Sequence, residues 1–187
     1  MDVTLGRLRL FVWIAGPLVP LSYVIGIARA PEPEALWGGI VGAERLAVVP
    51  FMFLAAAGFL TFAYHVLYRL DQDQLASLRW PWGQQDGRGL QRLLAAYALY
   101  LIPSALWLEA TLLHLERGQV WTQVLTIAVL TLVSIGILML GLLSWSARRD
   151  GVPGAPWMLA AVVAMGIQSI LNDNIIWVWK FPWGGAG

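Results

Sequence analysis

In a chain of 187 residues that is 59% hydrophobic and 12% charged, charge is too sparse to coat a water-facing surface, which takes about a quarter of the residues in a soluble domain. A formal net charge of +1 gives no electrostatic footprint for nucleic acid. The absence of cysteine excludes disulfides, thiolate metal sites and thiol catalysis.

Five mostly apolar stretches occupy most of the chain, at Leu8–Ala28, Leu46–Leu67, Leu93–Leu113, Val124–Leu143 and Trp157–Trp179. A helix rises ~1.5 Å per residue, so about twenty residues cross a hydrocarbon layer ~30 Å thick. Only connectors are left over. The spacing predicts an all-α polytopic integral membrane protein, residues 1–187 forming a single bundle of five transmembrane helices.

The first stretch follows Arg7 and Arg9 and ends at Ala28-Arg29-Ala30, the small-x-small form of a leader cleavage site. Its run from Leu10 to Ala28 is longer than the 7–15 residues of a leader's apolar region, and Pro17 and Pro20 interrupt it. It reads as a span. The connector Pro31–Ala43, with Pro31, Glu32, Pro33, Glu34 and Trp37, is expected to lie along the membrane surface.

Glu44 and Arg45 open the second span, Ala55-Ala56-Ala57-Gly58 gives it a small-residue packing face, and His65 closes it beside Tyr64 and Tyr68. In the connector from Arg69 to Arg92, Trp80-Pro81-Trp82-Gly83 and Gly87-Arg88-Gly89 are turn chemistry. A G-x-G with no strand before it and no Lys-Ser/Thr after it is not a phosphate loop.

The third span carries Tyr97, Tyr100, Ser104, Trp107, Thr111 and His114 within an arc of about 100°, with Glu109 and Glu116 nearly opposite. The fourth supplies Thr131, Ser134, Gly136 and Gly141 for close packing. In the fifth, Asn172-Asp173-Asn174 sweeps about 200° of helix surface at about 100° per residue, so the helix must be surrounded or broken there. At α-helical spacing Asp173 shares a face with Ser169, Trp177 and Lys180, while Gln168, Asn172 and Trp179 form the neighbouring stripe. Pro17, Pro20, Pro50 and Pro103 each free a carbonyl one turn earlier, and the first and third spans could open a cavity at Pro20 and Pro103.

Arg7, Arg9, Arg69, Arg79, Arg88, Arg92, Arg148 and Arg149 fall on one side of this topology, against Arg29, Arg45, Arg117 and Lys180 on the other. The positive-inside rule then places the N-terminus in the cytoplasm and the C-terminus outside, in a multi-pass cell membrane or organelle inner membrane. Nine of the eleven tryptophans, Trp37, Trp80, Trp82, Trp121, Trp145, Trp157, Trp177, Trp179 and Trp183, fall near span ends or in connectors, as an interfacial aromatic belt would.

Five spans rich in tryptophan resemble the translocator-protein family in outline, without the Trp- and Pro-rich signature expected after its first span. Asn174-Ile175-Ile176-Trp177 is similar to the Asn-x-x-Trp fragment of membrane sterol isomerases, without a matching His and Glu pair in the second span. Neither likeness carries an assignment.

An ionisable group inside a span costs about 2.5–3.5 kcal/mol on insertion scales, so each needs a reason. Glu109 and Asp173 both fall in the outer half, near Glu44, Arg45 and His114. The expectation is a pocket in the outer leaflet for a hydrophobic ligand with a polar head, such as a lipid, isoprenoid, quinone or pigment. Glu109, His114, Asn172, Asp173, Trp177, Trp107 and Thr111 would line it, with Glu44 and Arg45 at its mouth.

Three other readings stay open. Glu109 and Asp173 could be interhelical glue, paired with Arg45, Lys180 or His114. The chain could be an accessory or assembly subunit of a larger membrane complex, or form homo-oligomers. It could also be an isomerase- or hydrolase-like membrane enzyme using Glu109 or Asp173 as general acid or base. No cofactor or metal is assigned: His65 and His114 lie at opposite ends of their spans, and no ligand spacing is recognisable. The expected partners are the bilayer and a hydrophobic small molecule.

Overall fold

The computed structural model describes residues 3–184. The helices are α1 (Leu5–Arg29), α2 (Ala43–Arg69), a short α3 (Gln72–Ser77), α4 (Gly89–Arg117), α5 (Val120–Arg149) and α6 (Ala155–Lys180). Among the described residues, five of these are long and apolar enough to cross a membrane. Each outlasts its apolar run, because capping and arginine-bearing turns extend it. At 25–30 residues they measure about 38–45 Å, comparable to a bilayer with its headgroups.

Local chemistry explains the helix ends. The Thr4 hydroxyl accepts from the backbone N–H of Arg7 at the start of α1. Asp71 and Gln74 form a reciprocal capping box on α3. Gly118 ends α4 with φ +60, a backbone state that favours glycine, and its N–H donates to the His114 carbonyl at 2.7 Å. Only Gly118 and Gln119 then separate α4 from α5, so the two helices pack antiparallel along their length.

Around the bundle, α1 packs on α4, α4 on α5, α5 on α6 and α6 on α2. Small residues set the closest approaches, as expected where close backbone contact holds helices together. A methyl added at Gly136 of α5 would fall 2.5 Å from the Tyr100 nitrogen of α4, and one at Gly58 of α2 would fall 2.7 Å from the Ala161 carbonyl of α6. Between the helices Leu8, Phe62, Val66, Leu93, Tyr97, Ile137, Leu140, Met158 and Met165 form the main core. Phe62 meets Tyr97 edge to face at 5.8 Å.

The arginine-rich end is laced to backbone and carboxylates. Arg9 Nε donates to the Leu67 carbonyl and Trp13 Nε1 to the Tyr68 hydroxyl, both at 2.8 Å, which closes α1 against α2. Arg79 forks onto Asp150, with Nε to Oδ2 at 2.8 Å and Nη2 to Oδ1 at 2.7 Å. This contact holds the Asp150 carboxyl below the usual carboxylate range. Arg92 donates to the Leu78 carbonyl and to Asp86, whose carboxyl it likewise depresses. At the opposite end lie the connector of residues 31–42, the α4–α5 turn and the last described residues, so the first and last described residues sit at opposite ends of the bundle.

Two helices depart from α winding. The last turn of α2, His65–Arg69, is a π turn. In α6 a first part, Ala155–Gly166, is α-helical, but Ile167–Trp177 is wound as an eleven-residue π-helix before Val178–Lys180 returns to α. Hydrogen bonding from i to i+5 over such a length is rare, and π segments concentrate at functional sites.

Tryptophan placement corrects part of the sequence reading. Trp82, Trp121, Trp145, Trp157 and Trp179 are exposed near helix ends, in the manner of a belt. Trp177 is instead buried, and Trp183 folds with it against Phe181 and His114.

Candidate functional site

Widened winding decides what faces what on α6. In an α-helix Asp173 would stack on Ser169. With i to i+5 spacing it stacks on Gln168, whose Nε2 donates to Asp173 Oδ1 at 2.8 Å. The same amide accepts at Oε1 from Asn172 Nδ2, at 3.1 Å. One glutamine thus satisfies two of the polar neighbours, and the two stripes expected from 3.6-residue periodicity merge into one polar face.

That face forms the floor of a cavity of about 160 Å³. Tyr23 and Ile27 of α1, Val48 and Met52 of α2, and Trp107 and Leu108 of α4 form its walls. It begins one turn beyond Pro20 and Pro103, where the helices lack a backbone donor. Ile27 and Met52 are exposed on the outer surface of the bundle. The cavity therefore reaches that surface between α1 and α2, whose hydrogen bonds to one another from Arg9 and Trp13 lie at the arginine-rich end.

A roof comes from the connector. Pro33–Trp37 forms a 3-10 turn that places Pro33, Glu34, Leu36 and Trp37 over the opening, followed by Ile40. Trp177 closes it by donating from Nε1 to the Leu36 carbonyl at 3.0 Å. Gly39 lies so near the end of α6 that an added methyl would come within 2.4 Å of the Lys180 carbonyl. Arg45 Nη1 pairs with Glu34 Oε2 at 2.6 Å, and its guanidinium lies 4.7 Å from the Trp37 ring centre. Lys180 pairs with Glu44 across the same end.

Two of the wall side chains, Tyr23 and Trp107, are aromatic. Trp107 meets Tyr23 at 5.8 Å and Trp177 at 5.6 Å between ring centres, both nearly perpendicular. Among the described residues Asp173 accepts one hydrogen bond, from Gln168, and no Lys, Arg or His lines the cavity.

Of the nine residues expected at the site, Trp107, Asp173 and Trp177 line this cavity together. Asn172 is one hydrogen bond removed, through Gln168. Arg45 flanks the roof through Glu34, and Glu44 braces it through Lys180. The other three are turned elsewhere. Glu109 faces α1 and pairs with Arg29 at 2.8 Å, in the half-exposed position that its opposed place on the helix dictates. Thr111 is buried and spends its hydroxyl on the Trp107 carbonyl.

His114 serves the α4–α5 turn. The Thr122 hydroxyl lies 2.7 Å from the Gln119 carbonyl and 2.8 Å from His114 Nδ1, which ties the imidazole to the start of α5. Trp183 packs on that imidazole at 5.1 Å. Glu109 and Asp173 therefore do not share a site. No group of three metal-ligating side chains occurs among the described residues.

Sequence reasoning missed Tyr23, Gln168 as a partner of Asp173, and the roof residues Glu34, Leu36 and Trp37. A tyrosine in the last third of an apolar span is a local signal, since its hydroxyl requires a polar neighbour. The register of Gln168 depends on a winding that no residue pattern announced.

No protein-family profile, curated protein or solved structure matches this chain.

Proposed function

We propose that this chain is a multi-pass membrane protein with its N-terminus on the cytoplasmic side, whose cavity receives the polar head of a hydrophobic ligand from the outer leaflet. Orientation rests on the eight-to-four distribution of basic residues between the two ends. The binding reading rests on one observation above all: an aspartate, without a cationic partner among the described residues, forms the floor of an aromatic cavity.

Volume limits what enters. At about 160 Å³ the space matches a cavity of about 150 Å³ that accommodates benzene and falls short of the ~300–1,000 Å³ that encloses a drug-sized molecule. The site fits one ring or a small head. The rest of the ligand would leave past Ile27 and Met52 and remain among the acyl chains.

A two-carboxylate acid–base mechanism has little support. Glu109 is held by Arg29 and Glu34 by Arg45, so no second free carboxylate stands beside Asp173.

Native mass spectrometry of gently solubilised protein tests the binding reading. Wild type is expected to carry a small-molecule adduct that Asp173→Ala loses. Equal occupancy in both proteins, or none in wild type, would overturn it. The cysteine-free sequence makes orientation testable with single cysteines at Ser77 and Glu116 and an impermeant maleimide on intact cells. Labelling of Glu116→Cys but not Ser77→Cys is expected, and the reverse pattern would invert the topology.

A further inference from the structure

We infer that the head this cavity selects is a protonated amine, carried on an apolar body that lies between α1 and α2. The inference rests on the reading of the cavity as a ligand pocket and narrows its ligand class.

Charge gives the first argument. Two carboxylates, Glu34 and Asp173, line the cavity. Glu34 is already neutralised by Arg45. Two other cations at this end are engaged, Arg29 by Glu109 and Lys180 by Glu44, and Arg117 does not line the cavity. Asp173 has only the neutral amide of Gln168. A half-buried carboxylate that faces an apolar-walled cavity without a counter-ion is unfavourable, and an entering cation relieves that cost.

Wall chemistry gives the second. Tyr23, Trp37, Trp107 and Trp177 surround the space, and the electron-rich faces of such rings attract ammonium groups. The site already shows this preference at its rim, where the Arg45 guanidinium lies over Trp37. An anionic head would meet two carboxylates and no lining cation. A hydroxyl head would find an acceptor in Asp173 but would gain nothing from its charge.

Three probes of one shape separate these cases: 4-butylbenzylamine, 4-butylbenzyl alcohol and 4-butylbenzoate. Each offers a single ring of a size suited to the cavity. Isothermal titration into phosphatidylcholine nanodiscs holding the full chain, with empty nanodiscs subtracted, gives the affinities. The amine is expected to bind at least tenfold more tightly than the alcohol, and the benzoate more weakly than either. In Asp173→Asn the amine's advantage should fall below twofold while the alcohol still binds.

Trp107→Leu provides a check that leaves Asp173 in place. It should cut the amine's advantage several-fold through loss of a ring face. Alcohol binding equal to or tighter than amine binding in wild type would overturn the amine assignment and leave the pocket reading intact. No saturable heat from any probe would overturn the pocket reading as well.

Discussion

Gly136 and Gly141 lie five residues apart on α5, and their surroundings predict opposite signs for the same added methyl. At Gly136 it would fall 2.5 Å from the Tyr100 nitrogen, 2.8 Å from the Leu99 carbonyl carbon and 2.9 Å from the Ala96 oxygen, all backbone atoms of α4. No rotamer change can clear them. Restoring an ordinary contact of about 3.5 Å requires α4 and α5 to part by roughly 1 Å. Overpacking costs about 1–3 kcal/mol, and the upper end applies where backbone must yield. Alanine recovers about 1 kcal/mol of helix propensity, leaving Gly136→Ala destabilised by about 2 kcal/mol. At Gly141 the nearest atom is Val162 Cγ1 at 3.4 Å, an ordinary contact, so the propensity gain of up to about 1 kcal/mol stands alone. Reversible unfolding in dodecylmaltoside–SDS mixed micelles, followed by far-UV circular dichroism, should separate the two variants by about 3 kcal/mol. Equal stability of Gly136→Ala and wild type would refute the close α4–α5 approach on which the bundle is built.

Asp150 and Gly39 supply further tests. The Asp150 carboxyl is depressed in the folded state by Arg79. Its contribution is therefore complete above the ordinary aspartate range and is lost as pH falls below about 4, through the lowered folded value. Wild type should lose stability on acidification more steeply than Asp150→Asn, and parallel pH profiles would show that the fork contributes nothing. Gly39→Ala directs a methyl at the Lys180 carbonyl and should lift the connector from α6. Amide exchange across residues 36–40 should quicken, while bundle stability changes by less than about 0.5 kcal/mol. Unchanged exchange would mean that the roof is not held there.

The bundle was legible because its signal is length and hydropathy, which do not depend on partners. Apolar runs marked all five long helices, and the small residues Gly58 and Gly136 proved to be close-contact points. The site was less legible, for reasons that can be named. Pairing of Glu109 with Arg29 joins residues eighty positions apart and depends on how α1 turns against α4. On the alternative reading of interhelical glue, Arg45 and Lys180 would answer the carboxylates inside the spans, yet both pair instead with Glu34 and Glu44. Asp173 was identifiable as anomalous from its polar neighbours alone. Its partner was not, because the inference assumed 3.6 residues per turn through a segment that winds otherwise.

That winding joins the floor of the cavity to its lid without a hinge. Gln168, Asp173 and Trp177 all belong to the same π-helical stretch. A guest that draws the aspartate away from the glutamine removes the side-chain tie spanning five positions. Were the coil to tighten toward ordinary pitch, the indole would rotate away from the Leu36 carbonyl that it grips. On the proposed binding reading the segment would then act as a torsion spring, translating occupancy below into looseness above.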